Sequence, residues 1–73
     1  MNPPMTHDEA IAAWKAELDP LTAIDVVEFV VVEQRGVVRE LELRSDKTGL
    51  GLELTKLRLA ERALTVLTRP ANG

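Results

Sequence analysis

The stretch from Pro20 to Arg44, PLTAIDVVEFVVVEQRGVVRELELR, separates into a charged face and an apolar face when it is read with helical periodicity. At about 100° per residue, its charged side chains fall within roughly 200° of the helical wheel. The remaining arc holds one polar residue, Gln34, and the apolar residues Ala23, Val27, Val30, Val31, Val37, Val38 and Leu41. This pattern predicts an amphipathic helix over 20–44, about 37 Å long at 1.5 Å per residue.

A β-sheet interpretation of the same region stays open. The segment DVVEFVVV is rich in β-branched residues, and SDKTG is a suitable hairpin loop, so residues 26–55 could form a three-stranded meander. The first strand would then carry valines on both faces, whereas a half-buried sheet in a small domain needs one polar face. Asp19 and Pro20 also have the residue types of an N-cap and a first helical position. We therefore favour the helix.

Two shorter signals predict further helices on either side. Thr6 and Glu9 have the spacing of a capping box, which predicts a first helix over 6–18 with Ile11, Trp14 and Leu18 on one side. Gly49 and Gly51 predict a chain reversal within 45–51, and the apolar pattern resumes in a helix over 52–68. The expected fold is all-α: a short N-terminal helix and a long antiparallel helical hairpin. The expected domain covers 6–69, with flexible tails at 1–5 and 70–73.

The apolar surface exceeds what one small domain can cover. With 73 residues the chain forms one marginal core, and Phe29, Val32 and Leu43 lie among the charges of the long helix. Either the first helix or another subunit would cover this second apolar set. We expect a homo-oligomer whose interface is formed by Val27, Phe29, Val30, Val31, Val32, Gln34, Val38, Leu41, Leu57, Leu64 and Leu67. Gln34 either fixes the register of this seam or lies at its edge in water.

Charge is unevenly distributed along the chain. Residues 1–43 contain nine acidic and three basic residues, whereas residues 44–73 contain three acidic and six basic ones. This asymmetry favours a head-to-tail contact that closes a ring, or a basic surface for an acidic partner. Arg58, Arg62 and Arg69 line one face of the last helix. They could contact DNA phosphates, but no stacking aromatic residues accompany them. We favour ion pairs with glutamates of the same or a neighbouring chain, such as Glu28, Glu33 and Glu40.

The sequence contains little that could support catalysis. His7 is the one histidine, and its position at a helix start indicates a solvated residue rather than a metal ligand. The segment from Gly49 to Gly51 lacks the spacing of a phosphate-binding loop. We expect no enzyme activity, no catalytic or metal-binding residues and no cofactor. The chain has no cysteine, no signal-peptide pattern and no apolar run of membrane-spanning length, so we expect a cytoplasmic protein that does not enter membranes.

The layout of residues 20–69 resembles the oligomerisation core of small terminase subunits from tailed phages and phage-like gene transfer agents. In that family a hairpin of two long helices packs side by side into a ring. The ring marks DNA for packaging and passes it to the large terminase, a motor with ATPase and nuclease activities. The resemblance therefore implies a DNA-packaging adaptor that recruits a large terminase.

The chain departs from that family at its N-terminus. The family usually carries a DNA-binding helix-turn-helix there, and residues 6–18 are too short to form one. Under the resemblance, DNA recognition is reduced or lies in Arg58, Arg62 and Arg69, with weak affinity and no sequence preference. The alternative is a small regulatory or antitoxin-like module that binds one protein partner.

Overall fold

The computed structural model describes residues 6–69, and this part of the chain forms three α-helices and no strand. Helix α1 is His7–Leu18, α2 is Ile24–Leu43 and α3 is Lys47–Thr68. Helices α2 and α3 form an antiparallel hairpin, and α1 packs mainly on α3. The all-α fold is confirmed, and the meander over 26–55 is wrong. The tails expected at 1–5 and 70–73 lie outside the described residues.

Helix α1 begins with the predicted capping box. The Thr6 hydroxyl accepts a hydrogen bond from the Glu9 backbone N–H at 3.2 Å, and the Glu9 carboxylate accepts one from the Thr6 N–H at 3.2 Å. Two backbone donors that have no partner within the helix are thereby satisfied. Asp8 and Glu9 also place negative charge in the first turn, where the helix dipole favours it.

Helix α2 begins at Ile24, four residues later than predicted. Asp19 keeps right-handed helical angles and closes α1, because its N–H donates to the Lys15 carbonyl at 2.9 Å. The Leu21 N–H then donates to the Leu18 carbonyl at 3.0 Å. Asp19 and Pro20 therefore end the first helix instead of starting the second.

The second chain reversal is shorter than predicted, since α3 begins at Lys47. Ser45 adopts a left-handed φ of 56°, its N–H donates to the Glu42 carbonyl, and the Asp46 N–H donates to the Leu41 carbonyl. These two bonds form a Schellman motif that closes α2. Asp46 then caps α3 by accepting a hydrogen bond from the Thr48 N–H at 3.1 Å. The prediction that Gly49 and Gly51 reverse the chain was wrong, because both lie inside α3.

The core is small and lies where the three helices meet. Leu18 of α1, Val27 and Val31 of α2 and Ala60 of α3 are buried together, and Val27 and Ala60 have no exposed surface. Other apolar side chains pack around this centre and are half-buried: Trp14, Leu21, Val30, Leu57, Leu59, Ala63, Leu64 and Leu67. A core of this size gives a chain only marginal stability.

Replacing Ser45 with glycine should stabilise the fold. A left-handed conformation costs a residue with a Cβ atom about 1–2 kcal/mol, and glycine adopts it freely. Because glycine also loses more entropy on folding, we expect Ser45→Gly to raise the free energy of unfolding by about 0.5–1 kcal/mol. Urea denaturation followed by circular dichroism measures this. Ser45→Ala keeps the Cβ atom and should give no gain; an equal gain from alanine would contradict the explanation.

Candidate interaction surfaces

Four side chains form a polar network that joins all three helices. The Trp14 indole N–H of α1 donates to the Lys56 carbonyl of α3 at 3.0 Å, and the Lys56 ammonium lies 4.5 Å from the Trp14 ring centroid. That ammonium is also 3.6 Å from the Glu53 carboxylate. From α2, the Gln34 amide donates to the same carboxylate at 3.1 Å and to the Glu53 carbonyl at 3.0 Å. We call Trp14, Gln34, Glu53 and Lys56 the interhelical network.

Gln34 is therefore an internal residue of the hairpin. Its side chain is buried, so the alternative of a water-exposed seam edge is excluded. A buried amide needs hydrogen-bond partners, and α3 supplies them at the level of Glu53. Glu53 was not predicted as this partner. One feature of the sequence could have identified it: Glu53 is an acidic residue on the mainly apolar side of the last helix, three positions before Lys56.

The residues expected at a subunit interface divide by exposure. Four of them are buried inside the single chain and cannot contact a neighbouring subunit: Val27, Val31, Gln34 and Val38. Their prediction as interface residues was wrong. The half-buried members are Val30, Leu41, Leu57, Leu64 and Leu67. Phe29 and Val32 are open, as is Leu43. An intermolecular contact of the folded chain must therefore rely on the exposed residues.

Those exposed residues follow one side of α2. Phe29, Val32 and Leu43 are 62%, 64% and 78% exposed, and Gly36 lies between them. At 100° per residue this side points away from the buried valines. Phe29, Gly36 and Leu43 are seven residues apart, the spacing of a helix–helix contact. We call Phe29, Val32, Gly36 and Leu43 the outer stripe; the exposed charged residues Asp25 and Arg39 lie on the same side of α2.

The outward side of α3 is basic. Arg58, Arg62 and Arg69, which we call the basic face, are exposed, and none forms an ion pair with a carboxylate in residues 6–69. Glu40 instead pairs with Arg44 at 2.7 Å, and Arg35 pairs with Glu61 at 3.0 Å. Pairing of the arginines with Glu28, Glu33 or Glu40 of the same chain was therefore wrong. Pairing with a neighbouring chain stays a prediction.

An open cleft separates α1 from α2. It arises because α1 packs mainly on α3, which leaves one flank of α2 uncovered. The cleft has a volume of about 620 Å³ and is lined by Trp14, Val30, Val32, Glu33, Gln34, Gly36, Val37 and Glu40. The lining of the cleft is therefore partly apolar, and its two charged residues, Glu33 and Glu40, are both acidic.

His7 is exposed at the start of α1, and no group of three or more histidine, aspartate or glutamate side chains in residues 6–69 could hold a metal ion. None of the three described helices is both long enough and apolar enough to cross a membrane. Comparisons with protein-family models, with curated proteins and with solved structures gave no match.

Replacing Trp14 with phenylalanine tests the interhelical network. The variant keeps an aromatic ring but loses the hydrogen bond to the Lys56 carbonyl, so we expect the free energy of unfolding to fall by about 1 kcal/mol. Urea denaturation monitored by circular dichroism measures the change. A Lys56→Met background serves as the control, because it removes the ammonium over the ring and keeps the backbone carbonyl that accepts the hydrogen bond. Trp14→Phe in this background should still lower the free energy of unfolding. A Trp14→Phe variant as stable as the parent would contradict this role.

Proposed function

We propose that the chain is a non-enzymatic subunit of a homo-oligomer whose copies contact one another through the outer stripe of α2. The observation that carries this proposal is the exposure of Phe29, Val32 and Leu43 on the side of α2 opposite the core. Burying a side chain of this size contributes roughly 1.5–3 kcal/mol. Three of them provide a substantial driving force for association even after the entropy cost of binding.

For the role of this assembly, we propose a small-terminase-like adaptor in DNA packaging that recruits a large terminase. Supporting this role is the hairpin of α2 and α3, two antiparallel helices of 20 and 22 residues with opposite charge on their outward sides. We expect any contact of such an assembly with DNA phosphates to be weak and without sequence preference. The absence of cysteine suits a cytoplasmic setting.

The cleft between α1 and α2 favours a second candidate function. A small regulatory or antitoxin-like module would bind one protein partner, and an apolar cleft with Trp14 on one side and Glu33 and Glu40 on the other fits a basic amphipathic segment. In that case the chain acts through the cleft, and its state of assembly is secondary.

Polar substitution of the outer stripe should reduce assembly. In Phe29→Gln/Val32→Gln the apolar surface available to a neighbour is lost, while both positions stay solvent-exposed in the single chain. We expect the oligomer to dissociate toward the 8.1 kDa monomer with unchanged helix content. Light scattering after size-exclusion chromatography and circular dichroism provide the two measurements. Val26→Gln is the matched control, since Val26 is 46% exposed but lies outside the stripe; equal dissociation in this control would count against the stripe.

The packaging role has its own test. Genes for a portal protein and a large terminase are expected beside the gene for this chain, and the purified large terminase should be retained by the immobilised oligomer. A terminase that is not retained by the wild-type oligomer would contradict the packaging role and leave the assembly itself unaffected.

A further inference from the structure

We infer that the contact between copies joins two different surfaces: the outer stripe of one copy packs against the basic face of the next. The inference rests on the proposed self-assembly and names its partner surface. The occupant of the outer stripe is thus α3 of a second copy of this chain. Such a contact is heterologous, because each copy uses one surface to bind forward and another to bind backward.

Charge complementarity supports this pairing. Glu28 and Glu33 flank the outer stripe, both are exposed, and neither forms an ion pair in residues 6–69. Arg58 and Arg62 on the outward side of α3 are exposed and unpaired in the same described range. A contact of the stripe with itself would leave both arginines without a partner. A contact with the basic face pairs the open glutamates with the open arginines, which sets the orientation of the copies.

The heights of these residues along the hairpin agree with the pairing. The hydrogen bond from Gln34 to Glu53 brings these two residues level, and α2 and α3 run in opposite directions from there. With a rise of about 1.5 Å per residue, Arg58 comes level with the turn of α2 that contains Glu28 and Val32. Copies related by rotation about an axis parallel to the hairpin keep these heights. Arg58 of one copy therefore faces Glu28 beside its neighbour's stripe, and by the same measure Arg62 comes level with the exposed Asp25.

Two exposed glycines add a match in shape. By the same measure, Gly36 of α2 and Gly51 of α3 come level with each other. Each lies inside a helix, where glycine costs roughly 0.5–1 kcal/mol relative to alanine, and a Cβ atom at either position would meet nothing within 4 Å. The single chain does not use this space. In the paired arrangement it lets α2 approach the neighbouring α3 closely.

Reciprocal charge reversal tests the pairing. In one variant, Glu28→Arg/Glu33→Arg, both contact surfaces are basic; in the other, Arg58→Glu/Arg62→Glu, both are acidic. Each variant alone should associate at least about tenfold more weakly than the wild-type chain, because like charges meet at every contact. An equimolar mixture should recover assembly, since each contact then joins an acidic surface to a basic one. Light scattering of the two variants and of their mixture is the measurement.

The possible outcomes distinguish failure of this pairing from failure of the proposed self-assembly. A wild-type chain that stays at 8.1 kDa at all concentrations overturns self-assembly and the contact with it. A wild-type oligomer combined with variants that assemble normally, or with a mixture that stays dissociated, overturns the pairing alone. If either variant fails to fold by circular dichroism, the variant carrying all four reversals replaces it. Its surfaces are exchanged in sign, so it should assemble like the wild type, and a monomeric folded form would overturn the pairing.

Discussion

The hydrogen bond from the Gln34 amide to Glu53 is the constraint on which the geometry of the hairpin depends. The buried centre consists mainly of valine and alanine, whose similar small side chains can pack in more than one register. A buried amide is less tolerant, because any shift of α3 would leave it without a partner. Apolar burial therefore holds the two helices together, and Gln34 determines how far along each other they lie.

The interhelical network of Trp14, Gln34, Glu53 and Lys56 also determines which surfaces of the hairpin stay exposed to solvent. Lys56 contacts two members of the network. Its ammonium pairs with Glu53 and lies over the Trp14 ring, and its backbone carbonyl accepts the hydrogen bond from the Trp14 indole. Helix α1 is thereby attached to α3 and touches α2 much less. Had α1 packed along α2, it would have covered the apolar residues outside the hairpin seam. Its attachment to α3 leaves the outer stripe and the cleft available to other molecules.

Local sequence signals predicted the elements well and their junctions poorly. The capping box at Thr6 and the periodicity of α2 depend on neighbouring residues, and both were readable. At the junctions, residues typical of one role served another: Pro20 follows the end of α1, and Ser45 adopts the left-handed conformation expected of a glycine. The interhelical network could not be predicted, because Trp14 and Lys56 are 42 positions apart and Gln34 and Glu53 are 19 apart. Only packing of the whole chain brings them together.

The turn at Ser45 also governs whether the hairpin belongs to one molecule. Only Arg44, Ser45 and Asp46 separate α2 from α3, and one of them holds a strained backbone angle. If Ser45 rotated into right-handed angles and Asp46 changed from its extended ψ of 95° to a helical value, α2 and α3 would become one continuous rod and the valines between them would be uncovered. A second rod could then cover them by exchanging its α3, in the manner of a domain swap. The intramolecular hairpin and the exchanged dimer contain the same helix–helix seam, so the conformational energy of a single serine contributes directly to the balance between them.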